Sequence, residues 1–316
     1  MTTSTATSPF DPPPLVHWDA ERAARFGREE VGLRHTLHQR PMFSDEGLEE
    51  VLDRYPRDRL GVFTMGEDPC DRGSWRRGSA LGNMTGSRLL EAAKTGRLWL
   101  NLRAANDHLV EYAALSDEMF GDLERHVPGL RTFKRDVGLL ISSPDAQVFY
   151  HLDVPPVTLW GLRGEKTLYV YPPHAPFVDE EQLERIVLKE SAEQVDYDPA
   201  WDARAQVFHM TPGDMVSWRQ NAPHRVVNGP MLNVSLSLEY MTPEALMRAN
   251  VIYANGLLRR NAGLQPRVQS GFGPVSLAKV GLARAAKVAR RNAAVRTAPP
   301  PSFRLDATQP GLMTGA

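Results

Sequence analysis

HLDVPPVTLWGLRGEKTLYVYPP, residues 151–173, is the stretch on which the fold turns. His151 and Asp153 stand two apart in a run with strand texture, and on a β-strand residues i and i+2 point to the same face. An imidazole and a carboxylate turned inward together need a partner, because burying an unpaired carboxylate is costly; a divalent cation supplies one. The rest of the stretch is short and apolar, punctuated by Gly and Pro.

The same texture extends outward from about 134 to 242, through VGLLISS, AQVFYHLDV, KTLYVYPP, ARAQVFHMTPGD, HRVVNG and MLNVSLSLEYMT. Several short strands with regular turn signals mean a barrel or a sandwich. Within TPGDMVSWRQNAPHRVVNG (211–229) a Pro-Gly-Asp turn opens a strand, a second turn follows, and His224 arrives ten residues after Asp214 with Asn228 four beyond it. His-x-Asp alone is common by chance, and a single His is more often structural than a ligand. Their joint occurrence, in order and on strands, points to ligation. His151, Asp153 and His224 then form a two-His-one-carboxylate facial triad, which leaves three positions open on Fe(II).

These segments resemble those of the cupin-like JmjC family of Fe(II)/2-oxoglutarate oxygenases, which includes the asparaginyl hydroxylase acting on hypoxia-inducible factor. Gly164, Lys166, Tyr171, Pro172 and Pro173 fall where the family has a G-x-K segment and an aromatic strand ending in Pro-Pro. The resemblance implies a mainly β fold with helical additions: a double-stranded β-helix, or cupin/jelly-roll barrel, with α-helical N- and C-terminal flanks. It also implies that Lys166 binds the distal carboxylate of 2-oxoglutarate, a role that suits a cation held deep in a barrel. The second segment departs from the family pattern in having Arg219 for its usual proline and Asn221 for its usual glycine.

Where the family often places Thr and Asn against the co-substrate, this sequence has Val148 and Val157. Tyr150, Thr158, Tyr169, Ser235 and Ser237 are candidates to restore hydroxyl contacts, with Asn228 beside them. Trp160 and Trp218 are expected in the wall of the core. The expected function is an Fe(II)- and 2-oxoglutarate-dependent oxygenase that hydroxylates a protein side chain or a small metabolite. The two valines motivate an alternative, a metal-binding cupin without oxygenase activity that serves as a sensor or regulator.

The organisation expected is a flexible lead-in at 1–16, an α/β flank at 17–133, the barrel at 134–242 with a helical insertion near 174–202, C-terminal helices at 243–298 and a flexible tail at 299–316. FSDEGLEEVLDRYP (43–56) predicts a helix capped by Ser44, with further helices over 86–95, 106–127 and 243–262. The insertion is expected to roof a pocket. SLAKVGLARAAKVARRNAA (276–294) carries Lys279, Arg284, Lys287, Arg290 and Arg291 without an acid.

In 316 residues, 37 basic and 38 acidic side chains leave no overall field to attract nucleic acid or a membrane. The single cysteine, Cys70, excludes an intramolecular disulfide and a multi-cysteine zinc site. With no apolar run of spanning length and no signal-like start, an unprocessed cytoplasmic chain is expected. JmjC-like barrels often dimerise through terminal helices, which implies residues 243–262 as a homodimer surface.

Overall fold

The computed structural model describes residues 15–79, 84–268, 271–289, 301–306 and 313–315. Its first strands are β1 (Val31–Arg34), β2 (Gly61–Thr64), β3 (Arg76–Ser79), β4 (Trp99–Leu102) and β5 (Phe133–Ser142). There follow β6 (Gln147–His151), β7 (Val157–Arg163), β8 (Lys166–Val170), β9 (Gln206–Met210) and β10 (Asp214–Ser217). The last are β11 (His224–Asn228), β12 (Asn233–Met241), β13 (Phe303–Leu305) and β14 (Met313–Gly315). Helices are α1 (Ala20–Arg25), α2 (Asp45–Arg54), α3 (Gly86–Thr95), α4 (Ala105–His108), α5 (Val110–His126), α6 (Glu180–Val187), α7 (Pro243–Ala262) and α8 (Pro274–Ala289). Among the described residues no helix is long and apolar enough to cross a membrane.

These strands make a ten-stranded mixed sheet, β1-β10-β7-β12-β5-β4-β2-β3-β13-β14, and a four-stranded sheet, β6-β11-β8-β9. The two are consistent with a jelly-roll arrangement. A cluster between them takes Val157 and Leu159 from β7, Leu168 and Val170 from β8, Val216 from β10 and Val226 from β11. Alternation along β12 explains why one face builds a core and the other a site. Val234, Leu236, Leu238 and Tyr240 join the larger core with the N-terminal helices, whereas Asn233, Ser235, Ser237 and Glu239 take the opposite parity. Central β7, between β10 and β12, is buried along nearly its whole length, as its unbroken apolar reading requires.

Ser44 caps α2 by accepting from the Gly47 amide, and Leu48, Val51 and Leu52 are buried, as the spacing predicts. Helix α7 closes at Gly263, whose φ of 64° is the left-handed conformation that glycine tolerates. The helix expected over 106–127 is broken instead, because Leu109 adopts an extended conformation and is buried between α4 and α5. Of the expected lead-in, residues 1–14 lie outside the described residues, while Leu15 and Val16 are buried and the Leu15 amide donates to Asp122. The tail expected to be flexible places Phe303–Leu305 parallel to β3, with Phe303 and Leu305 buried.

The insertion covers the outer face of the small sheet, and its end runs beside His151, which bridges to Gln194. Its Phe177, Val178, Leu183 and Ile186 pack on Tyr150 and Tyr171, aromatics that would otherwise face water. Fully buried Glu184 of α6 pairs with Arg259 of α7 and fastens the insertion to the C-terminal helix. The acid-free helix is described to Ala289, Arg290 and Arg291 lying outside the described residues. Two of its cations turn inward: Lys279 donates to the Arg267 carbonyl, and Lys287 to Asn250.

Candidate metal centre

The corner forms where β6 ends and β11 begins. His151 and His224 are register partners across this pair, and an extra residue on β6 between His151 and Val148 bulges the strand. One ligand atom from each of His151, Asp153 and His224 lies within 4.8 Å of the others. The imidazole ring centroids are 4.2 Å apart, and His224 Nε2 is 3.3 Å from Asp153 Oδ2.

The outer nitrogen of each ring is already engaged. His151 Nδ1 is 2.8 Å from the Phe149 carbonyl and His224 Nδ1 is 3.1 Å from that of Ala222. A carbonyl only accepts, so each Nδ1 carries a proton, and Nε2 is the nitrogen left to face the corner. Burial holds the Asp153 carboxyl above its ordinary range against the pull of His151 and Arg103. Burial, together with the His151 charge, holds His224 well below the usual imidazole value. Two lone pairs and a carboxylate that converge in a desolvated corner fit a divalent cation, since without one they face each other unfavourably.

The turn before His224 holds the ligand loop. Asn221 has φ 64°, which a short polar side chain tolerates where glycine is otherwise used. Its amide donates to the Asp153 carbonyl at 2.9 Å and its oxygen accepts from Arg248 at 3.0 Å. Gln220 donates to the Val154 carbonyl at 2.8 Å. Arg219 pairs with Glu30 at 2.8 Å.

Gly164, at φ 70°, sits in the tight turn between β7 and β8, where a Cβ would lie 2.5 Å from the Leu232 carbonyl oxygen. Lys166 follows and is buried, its Nζ 2.7 Å from Ser235 Oγ. Burial pushes its ammonium down to about 7, with no charged neighbour offsetting it. Asn228 is its register partner and donates to the Ser143 carbonyl at 3.2 Å. Ser237 shares the face of Ser235 and is half-buried.

Two expected co-substrate contacts lie elsewhere. Thr158 is on the opposite face of β7, where its hydroxyl accepts from Trp160 Nε1 at 2.8 Å in the large core. Tyr150 packs under the insertion and donates to the Phe177 carbonyl at 2.9 Å. Tyr169 is covered by the Arg225 guanidinium, 3.7 Å from its ring centroid. Val148 and Val157 both pack in the cluster between the sheets. Trp218 is buried there too, its ring centroid 4.8 Å from that of His224.

A pair that the sequence reading missed stands nearby. Arg103 NH2 donates to both oxygens of Glu239 at 3.0 Å. Burial pushes the Glu239 carboxyl up to about 8; Arg103 opposes this and Asp153 adds to it. The alternation of β12 carried the signal, since Glu239 continues the polar parity of Ser235 and Ser237.

Fold and corner together define two β-sheets with one candidate metal centre among the described residues, and helix outweighs strand there, so the mainly β composition expected from the resemblance does not hold. No family model and no curated protein matches the chain. Among solved structures it is similar to that of E. coli ycfD, at 16% identity over 83% of this chain and 65% of that one, with a TM-score of 0.47. It is similar to the Escherichia coli ribosomal oxygenase YcfD at 14% identity over 86% and 67%, TM-score 0.49. A YcfD structure in complex with cobalt and 2-oxoglutarate aligns at 16% identity over 84% and 65%, TM-score 0.46. The chain spans about 65% of the length of the first of these.

Proposed function

We propose that the chain is an Fe(II)- and 2-oxoglutarate-dependent oxygenase of the cupin-like JmjC kind, acting on a C–H bond of a protein side chain or small metabolite. The observation that carries this reading is Lys166, a buried cation with a serine hydroxyl for its polar partner, between the same two sheets as the triad. His151, Asp153 and His224 would hold the metal. When bound with 2-oxoglutarate and O2, the iron supplies oxidative decarboxylation coupled to hydroxylation.

The protein's part is geometry and exclusion of water. The Phe149 and Ala222 carbonyls fix the two rings so that Nε2 faces the metal position. Asn221 and Gln220 hold the Asp153–Val154 backbone. Lys166 and Ser235 would take the distal carboxylate of the co-substrate, a charge-assisted contact in a low-dielectric setting. Trp218 and Val226 line the dry side of the corner. In this reading the two sheets close as a double-stranded β-helix over residues 134–242, with β1 at one edge.

Iron-dependent conversion of 2-oxoglutarate to succinate by the full chain tests the reading. Turnover that disappears in His151→Ala is the expected result. Iron bound without turnover favours the second reading, a binding cupin, for which the apolar packing of Val148 and Val157 speaks. Association of two copies through the C-terminal helices belongs to the same proposal. Residues 243–262, the surface expected for it, form α7 and are buried over much of their length, so the exposed apolar side chains that could meet a second copy are those of α8: Val275, Leu277 and Val288 at 52%, 57% and 71% exposure. Sedimentation at two concentrations checks this, and a monomer at both counts against it.

A further inference from the structure

The three side chains of the metal corner are not held alike. His151 and His224 are register partners inside a sheet, where the ladder fixes both backbones. Asp153 lies two residues past the end of β6, off that ladder, in the loop that leads to β7. A carboxylate on a loop keeps its place only where other groups fix the loop.

Those groups come from the turn before His224 and from α7. Asn221 is 2% exposed, and its Nδ2 donates to the carbonyls of Asp153 at 2.9 Å and Val154 at 3.3 Å. Its Oδ1 accepts from Arg248 Nε at 3.0 Å. An arginine only donates and a carbonyl only accepts, so these two neighbours decide which way the amide points. Gln220 runs beside it, its Nε2 donating to the Val154 carbonyl at 2.8 Å and to the Ala245 carbonyl at 3.2 Å. Ala245 and Arg248 stand three apart in α7, so both contacts are made by one face of that helix.

The backbone alone does not explain Asn221. Its φ of 64° asks only for a glycine. Aspartate also tolerates the conformation, but it would turn an acceptor toward two carbonyls. Among side chains suited to the left-handed region, asparagine alone offers a donor to one neighbour and an acceptor to the other. Arg248 is half-buried and no carboxylate acts on it, so its Nε–H is directed at the amide rather than at an ion pair.

We propose that Asn221 and Arg248 are positioning residues for the metal: Arg248 orients the Asn221 amide, and the amide fixes the Asp153 backbone so that its carboxylate meets the two imidazoles. The inference rests on the metal-centre reading and holds whichever chemistry the metal supports. It makes α7 part of the centre. The same helix is tied to α8 through Asn250 and Lys287, and to the insertion through Arg259 and Glu184. Metal affinity is then set partly from outside the two sheets.

The test titrates the full chain with Co(II) alone, whose visible bands report the geometry of its ligands. Asn221→Gly keeps the backbone conformation and removes both hydrogen bonds. Its affinity should fall about tenfold, the low end for a partner outside the ligand set, and the bands of the saturated protein should shift. Asn221→Asp should lose at least as much, since it keeps the Arg248 contact while facing the Asp153 carbonyl with an acceptor. Arg248→Met should lose about fivefold, the worth of one hydrogen bond, and Arg248→Lys, which keeps a donor, should regain most of it. Asn221 and Arg248 variants that match wild type in affinity and saturated bands overturn the proposal, even where they melt earlier. Weaker binding with unshifted saturated bands and no recovery in Arg248→Lys also overturns it, because the loss then follows unfolding. Failure of the metal-centre reading is distinct: wild type binds no Co(II), or His151→Ala binds it as well as wild type, and the proposal falls with it.

Discussion

Arg225 and Lys166 are both buried cations of the small sheet, and their surroundings are opposite. Arg225 lies against the insertion, with Asp202 paired to its guanidinium, the Tyr171 hydroxyl 3.0 Å from Nε and the Tyr169 ring beneath it. Asp202 also accepts from the Tyr197 hydroxyl at 2.7 Å. Burial works against the Arg225 charge, yet the hydrogen bonds it donates to Asp202 and Tyr171 hold its proton above the ordinary range. Lys166 faces the other sheet with one neutral hydroxyl, and its proton is held well below the ordinary range. A cation that only supports structure comes with its anion; one left without an anion is placed for a ligand that brings it.

Four outcomes sharpen or break that contrast. Asp202→Ala strands Arg225 and leaves two phenols without their acceptor, so urea unfolding should show a loss of about 3 kcal/mol, the low end for a broken buried pair because Asp202 is partly exposed. Lys166→Met should lower 2-oxoglutarate affinity about 100-fold, or ~2.7 kcal/mol, by calorimetry. An effect under threefold would return Lys166 to the status of a structural residue.

Without 2-oxoglutarate, Lys166→Met should be more stable than wild type by about 1–2 kcal/mol below pH 7. The folded chain loses the Lys166 proton at about 7 and the unfolded chain near the ordinary 10.5, so between these values the unfolded state binds more protons. Wild-type stability therefore gains on the variant as pH rises through that window, and denaturation curves at pH 6.5 and 9.5 should show the gap closing. Ser235→Ala should cost the least, about fivefold in 2-oxoglutarate affinity, or ~1 kcal/mol for one neutral hydrogen bond.

Much of this contrast was legible in the sequence. His151, Asp153 and His224 were found because two ligands shared one strand face and a turn signature preceded the third, and the structure brings the three together. Gly164 and Lys166 were legible as a turn followed by a strand. Tyr150 and Thr158 stand away from the corner for different reasons. Tyr150 immediately precedes His151 on β6 and so faces the opposite side, whereas β7 is apolar on both faces, so no pattern shows which side Thr158 takes.

Arg225 was unreadable because its partner Asp202 is 23 residues away in the insertion.

The central claim is most directly tested by anaerobic titration of the Fe(II)-loaded full chain with 2-oxoglutarate, following the weak visible charge-transfer band of the chelate. The account predicts a band in wild type that is absent in His151→Ala and needs far more 2-oxoglutarate in Lys166→Ala. Iron retained by wild type with no band at saturating 2-oxoglutarate would contradict it.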